Sequence, residues 1–243
     1  MTIKVYSDHE VLGREAGEHI LSVIAQKPAP VIGLATGSSP VPVYQGWGAL
    51  AKERGLSMGH VECFALDEYC GLPINHPESY HSVIDRDAVQ VIGLDSSLVH
   101  VPQGNGDVDE NAVAYEEAIS RAGGVDLQIL GLGRNGHLGF NEPGSAVTSR
   151  TRKIDLMPET ISDNSRFFDH VSDVPTSAIT QGIGTILDAR ELIIVVTGAI
   201  KAPAVAAALE GPVTEDLPAS LIREHQRVTW YIDEAAASLL QQV

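Results

Sequence analysis

Pro30-Val31-Ile32-Gly33-Leu34-Ala35-Thr36-Gly37-Ser38-Ser39-Pro40 is an apolar run that ends in a glycine turn and opens into a second, amphipathic stretch. An apolar run of this length without polar alternation reads as a strand buried on both faces, as in a parallel sheet. Gly37 lets the backbone turn tightly. Pro40 suits the first helical position, where its missing N–H costs nothing. The segment therefore predicts strand, turn, then helix from about residue 40. The same alternation runs outward in both directions. Residues 10–26 carry Val11, Ala16, Ile20, Val23 and Ile24 at helical spacing. Strands are expected at 60–66, 98–101, 125–130, 191–197 and 227–232. Helices are expected at 78–90, 109–122, 199–210 and 233–242. Val113, Ala114 and Ala118 mark the apolar face of the helix at 109–122. Alternation of this kind predicts an α/β fold with a mostly parallel sheet and helices on both faces. Such sheets bind ligands beyond the carboxyl ends of their strands. The interval 138–165 fits the alternation poorly, and 145–156 reads as a separate strand or excursion. No repeat, low-complexity tract or linker divides the chain, so residues 1–243 read as one domain.

The bulk numbers narrow the class of partner. Sixteen Lys and Arg stand against 32 Asp and Glu, a formal net charge of -16. That field repels nucleic acid and anionic membranes, and no basic face is concentrated enough to offset it. An anionic ligand would need a few local cations and backbone N–H groups. Cys63 and Cys70 do not form a C-x-x-C pair and read as reduced thiols. The first ten residues lack the apolar stretch of a signal peptide, and no apolar run is long enough to span a bilayer. A cytoplasmic location is the expectation.

Three segments could carry chemistry. Thr36, Gly37, Ser38 and Ser39 offer hydroxyls and free N–H groups at a helix start, which favours an anion. A plain strand-to-helix turn has the same letters, and G-x-x-x-x-G-K is absent. Leu66-Asp67-Glu68-Tyr69 places two carboxylates at a strand end. Adjacent strand residues face opposite ways, so one can meet a ligand while the other anchors structure. Gly131-Leu132-Gly133-Arg134-Asn135-Gly136-His137 matches G-x-G-x-x-G, a dinucleotide pattern. That pattern needs a helix after its last glycine, whereas this chain runs on into Gly139 and Pro143-Gly144. A loop carrying His137 and Glu142 reads better as catalytic. His9, His19, His60 and His225 are scattered, and no H-E-x-x-H or clustered Cys/His spacing marks a metal site.

Taken together, the segments resemble a known family. Thr36-Gly37-Ser38-Ser39-Pro40, Leu66-Asp67-Glu68-Tyr69, His76-Pro77-Glu78-Ser79-Tyr80, Gly136-His137 through Phe140-Asn141-Glu142-Pro143-Gly144, Ser149-Arg150-Thr151-Arg152, Asn164-Ser165-Arg166-Phe167-Phe168 and Gly198-Ala199-Ile200-Lys201-Ala202 are similar to the motifs of glucosamine-6-phosphate deaminases, and stand in the same order. The G-H-x-x-F-N-E-P segment is the most specific. The resemblance implies a Rossmann-like fold and the conversion of glucosamine 6-phosphate to fructose 6-phosphate and ammonia, in amino-sugar catabolism, without metal or cofactor. It implies proton transfer by Asp67, ring opening by His137 and support of that histidine by Glu142. Asn135 occupies a position that is Asp or Asn in such proteins; a carboxamide could orient the imidazole but brings no charge. Phosphate contacts are implied at 36–39, Arg166 and Lys201.

The resemblance has limits. Some members are hexamers activated by N-acetylglucosamine 6-phosphate through a basic segment after the catalytic loop. Arg152 matches that segment, but Ile154 stands where those members have Lys, and the chain stops at Val243 without their C-terminal extension. Weak or absent allostery is expected, and the assembly state stays open, a homo-oligomer included. The rival readings are a 6-phosphogluconolactonase, a sugar-phosphate-sensing regulator and a nicotinamide-dependent dehydrogenase. Phe140-Asn141-Glu142-Pro143 favours the deaminase over the first. The shortness of the chain before residue 36 and its charge disfavour the second.

Overall fold

The run at 31–34 is a strand buried along its whole length, and each expected strand joins the same sheet or stops at its edge. The structure, a computed structural model, describes residues 1–241. In chain order it begins with β1 (Thr2–Tyr6), α1 (His9–Ile24), β2 (Val31–Leu34), α2 (Val41–Glu53), β3 (Glu62–Ala65) and β4 (Asp67–Tyr69). It continues with α3 (Tyr80–Ile84), α4 (Gln90–Ile92), β5 (Val99–His100), α5 (Val108–Arg121), β6 (Leu127–Leu130) and β7 (Arg152–Asp155). It closes with α6 (Pro158–Asn164), β8 (Ser177–Thr180), α7 (Ile183–Leu187), β9 (Leu192–Val196), α8 (Ala202–Glu210), α9 (Pro218–Leu221), β10 (Val228–Asp233) and α10 (Glu234–Ala237).

Seven strands form one parallel sheet in the order β1-β10-β9-β6-β2-β3-β5. From β2 the chain goes one way to β3, while β6 lies on its other side. The carboxyl ends of β2 and β6 therefore flank the crevice where strand order reverses. The 36–39 turn follows β2, and the glycine loop follows β6. Trp47, Trp230, Phe64 and Leu127 are among the fully buried side chains of the core that encloses this sheet.

A second, antiparallel sheet of order β4-β8-β7 stands beside the first. The expected strand at 60–66 crosses between the two. Leu66 N–H still donates to Leu34 O of the parallel sheet at 3.1 Å, while Leu66 O accepts from Gln181 N–H at 2.7 Å. One residue later, Asp67 pairs with Thr180. The excursion expected at 145–156 contains β7, the far strand of this sheet.

Several expectations need correction. Val11 and Val113 are exposed; Leu12, Ala16 and Ile20 face the core in α1, and Ala112, Tyr115 and Ile119 do so in α5. In α1 the expected Ala16, Ile20 and Ile24 are buried and Leu12 takes the place of Val11, whereas in α5 the buried side chains lie one position from the face of Val113, Ala114 and Ala118. The expected helix at 78–90 is α3, then a π-turn at Asp85–Val89, then α4, closed by Gly93 with φ of 80°. The expected helix at 199–210 starts with a 3₁₀ turn at Ala199–Lys201. The helix expected at 233–242 is a single turn, α10, and residue 242 lies outside the described residues. β1, α6, β8, α7 and α9 lie outside the expected elements; each is too short to show a period of its own.

Candidate active site

The 36–39 turn is built for an open helix start. Gly37 has φ of 90°, a conformation that strains any residue with a Cβ. Pro40 has helical backbone angles, and its carbonyl accepts from Tyr44 N–H at 3.0 Å, so the helix begins where expected. Among the described residues no side chain caps this end of α2, whose first residues border the crevice. Tyr44 braces the turn from behind. Its buried hydroxyl donates to Ala35 O at 2.7 Å and accepts from Ala35 N–H at 3.0 Å.

Asp67 and Glu68 divide their roles as strand alternation predicts. Asp67 is buried and borders the crevice. Burial, reinforced by the charge of Glu68, pushes its carboxyl up to about 8. Glu68 points away and receives Tyr80 N–H at 2.9 Å and His81 N–H at 3.1 Å, the first turn of α3.

The glycine loop opens no helix after Gly136; the chain turns through an isolated bridge between Leu138 and Asn141. The helical context of a dinucleotide fingerprint is therefore missing. Gly133 serves a different need, because a Cβ there would lie 2.4 Å from the His137 ring. His137 Nδ1 stands 3.5 Å from Glu142 Oε2; that buried nitrogen has no hydrogen-bond partner among the described residues. Asn135 does not orient the imidazole. Its Oδ1 accepts from His137 backbone N–H at 3.2 Å, and its Nδ2 donates to Glu142 Oε2 at 2.8 Å. Thr160 Oγ1 donates to the other oxygen, Glu142 Oε1. Burial would raise the Glu142 carboxyl, but His137, Thr160 and Asn135 outweigh it and hold it below the usual range.

One cavity of about 590 Å³ joins these parts. Thr36, Gly37, Ser38 and Ser39 line it, together with Asp67, His137, Arg166 and Lys201. Asn135 and Glu142 stand behind His137, off the cavity wall. Lys201 Nζ donates to Leu132 O at 2.6 Å, and burial lowers its ammonium from the ordinary value. Arg166 lies on a 3₁₀ turn at Ser165–Phe167, its guanidinium 4.7 Å from the Phe167 ring centroid. Thr160 escaped the sequence reading, since a lone threonine in an irregular interval gives no signal. Tyr80 stood within a recognised motif without a role; it stacks on Phe140 at 5.8 Å and walls the cavity. Cys63 and Cys70 are free thiols. His9 and His19 make partly buried contacts, to Asp233, and to Tyr231 and Glu191.

The arrangement combines an anion cradle with two nearby cations, a carboxyl that can exchange protons near neutrality, and a carboxylate-backed histidine. Known proteins of one family are similar to the chain over nearly its whole length. The family model described as glucosamine-6-phosphate isomerases/6-phosphogluconolactonase matches residues 8–230. A glucosamine-6-phosphate deaminase from Pseudarthrobacter chlorophenolicus is 48% identical, over 99% of this chain and 93% of its own length. One from Rhodopirellula baltica is 45% identical, over 98% of this chain and 95% of its own. A solved structure described as a monomeric glucosamine-6-phosphate deaminase superposes with a TM-score of 0.95 at 38% identity, covering 98% of this chain and 100% of that one. The 6-phosphogluconolactonase of Thermotoga maritima shares the fold, with a TM-score of 0.75 at 20% identity over 96% of this chain and 99% of its own. The chain belongs to the glucosamine-6-phosphate isomerase/6-phosphogluconolactonase family, and within it to the glucosamine-6-phosphate deaminases.

Proposed function

We propose that this chain converts glucosamine 6-phosphate to fructose 6-phosphate and ammonia, in the cytoplasm, where its two free thiols would stay reduced. The observation that carries the reading is the convergence of Asp67, His137 and the 36–39 turn on one cavity. The phosphate binds at the turn, against Arg166 and Lys201, which compensate its charge locally inside an acidic protein. Anchoring that remote group holds the reacting carbons between Asp67 and His137.

Histidine suits ring opening because its two forms are both accessible near neutrality. His137 takes the anomeric hydroxyl proton and assists the ring oxygen as the C1–O5 bond breaks. Glu142 stabilises the imidazolium, and Asn135 and Thr160 hold Glu142 in place. C1 is then an aldehyde, so the C2 proton is acidic. Asp67 removes it and returns it to C1, while a proton of the amine passes to O1, which leaves C1 an alcohol and an imine at C2. Water adds to C2 and ammonia departs. A carboxyl raised toward neutrality is a better proton donor for the returning step than an ordinary carboxylate, at some cost in its ionised fraction as a base.

The test is ammonia release from glucosamine 6-phosphate, run beside hydrolysis of 6-phosphogluconolactone. Ammonia release without lactone hydrolysis is expected. Asp67→Asn should lose turnover while still binding a hexose phosphate; normal turnover in that variant would remove Asp67 from the reaction.

A further inference from the structure

Glu68 is 3% exposed and sits one residue from Asp67, in a place where an uncharged side chain would cost less to bury. Four donors hold it. Tyr69 N–H and Tyr80 N–H reach Oε1 at 2.8 and 2.9 Å, while His81 N–H and His81 Nδ1 reach Oε2 at 3.1 and 2.8 Å. A carboxylate can accept all four; a carboxamide would turn its NH₂ toward one pair of donors. The His81 ring is partly exposed, with 28% of its side chain accessible, and lies on the side away from the substrate cavity. The lock has two consequences. It ties β4 to the first turn of α3, and so fixes Tyr80, which stacks on Phe140 at the cavity wall. It also fixes a negative charge beside Asp67.

We propose that Glu68 and His81 form a positioning pair that tunes how readily Asp67 takes and returns a proton. The proposal rests on the reading of Asp67 as the proton-transfer carboxyl. Neither side chain of the pair touches the reacting carbons; both act through Asp67 and Tyr80.

The other groups around Asp67 cannot substitute for the pair. Tyr69 on β4, Tyr80 on α3 and Tyr115 on α5 are the titratable side chains that feel the Asp67 charge, and burial holds all three phenols protonated. β8 presents the uncharged Thr180 opposite Asp67. The influences that raise the Asp67 carboxyl are burial first and the Glu68 charge second. On the far side, Glu68 faces the His81 ring, and the Cys70 thiol lies within its field. Glu68 therefore supplies the charge beside Asp67, and His81 is the side chain that holds it there.

Opposite substitutions should move Asp67 in opposite directions. Glu68→Gln removes the charge, so the acid limb of the kcat/KM profile should move down by about one pH unit. His81→Phe keeps a ring but leaves the Glu68 charge less compensated, so the limb should move up. His81→Asn returns a donor to Glu68 and should bring the limb back toward its original position. A role confined to packing would shift neither limb, or both in the same direction, and either result overturns the proposal. The Asp67 carboxyl is followed independently by ¹³C NMR titration of the substrate-free protein, where the same ordering is expected. If Glu68→Gln does not fold, the two His81 variants and the titration decide the question. If Asp67→Asn keeps full turnover, the catalytic reading fails, and the NMR ordering still tests the coupling by itself.

Discussion

A carboxyl buried without a cation to neutralise it keeps its proton to higher pH, and Asp67 shows the thermodynamic consequence. Its folded value is about 8, against 3.8 for an unperturbed aspartate. The folded state therefore binds the proton more tightly than the unfolded state. Stability from this group is complete below about pH 4 and is lost as pH rises toward 8. The full gap corresponds to at most about 6 kcal/mol. Asp67→Asn does not titrate, so it should unfold at the higher temperature at pH 8, with the difference shrinking toward pH 4. Thermal unfolding of both proteins across that range checks this; a difference independent of pH would contradict the burial argument. Glu142 is the contrasting case. Its donors outweigh its burial, and it stays available as an anion behind His137.

At the scale of elements, the site depends on where strands stop. β2 ends in the 36–39 turn, and Tyr44 of α2 satisfies both backbone groups of Ala35 at that point. Tyr44→Phe leaves a buried N–H and C=O without partners, a cost of about 1–3 kcal/mol. Because the loss falls on the turn, KM for the sugar phosphate should rise more than kcat falls. Steady-state kinetics with a parallel unfolding curve would show this, and a pure kcat effect would contradict it. The strand-turn-helix at 30–40 was legible because a doubly buried strand is apolar throughout and its turn demands glycine. The glycine loop was legible in composition, and its departure from a dinucleotide site followed from Pro143-Gly144. The sheet of β4, β7 and β8 was not legible. Its strands have three or four residues, too few for a period, and the pairing of β4 with β8 joins residues more than a hundred positions apart.

On the scale of the whole molecule, charge sets the expectations. A net charge of -16 opposes an anionic substrate over the general surface, while Arg86, Arg134, Arg166, Lys201 and the 36–39 turn line the cavity that would receive it. Arg152, which matches part of an activator-binding segment, is already engaged. It donates to Asn141 Oδ1 at 2.9 Å and is half-buried, and Ile154 on the same strand adds no cation. Binding an effector phosphate there would cost contacts that hold the catalytic loop. Substrate saturation should therefore be hyperbolic, and N-acetylglucosamine 6-phosphate should leave it unchanged. Sigmoidal kinetics relieved by that compound would show that Arg152 is free to engage it.

The residue types and their order determined the chemistry this chain can perform, because apolar runs, glycine turns and charged side chains carry their physical preferences wherever they lie. Local patterning likewise determined the parallel α/β architecture. The tertiary structure alone decided which groups meet: that Asn135 serves Glu142 rather than the His137 ring, that Thr160 completes the same carboxylate, and that Glu68 locks α3 while Asp67 faces the cavity. Such contacts depend on angles and distances of a few ångströms between elements far apart in the chain, and no one-dimensional spacing encodes them.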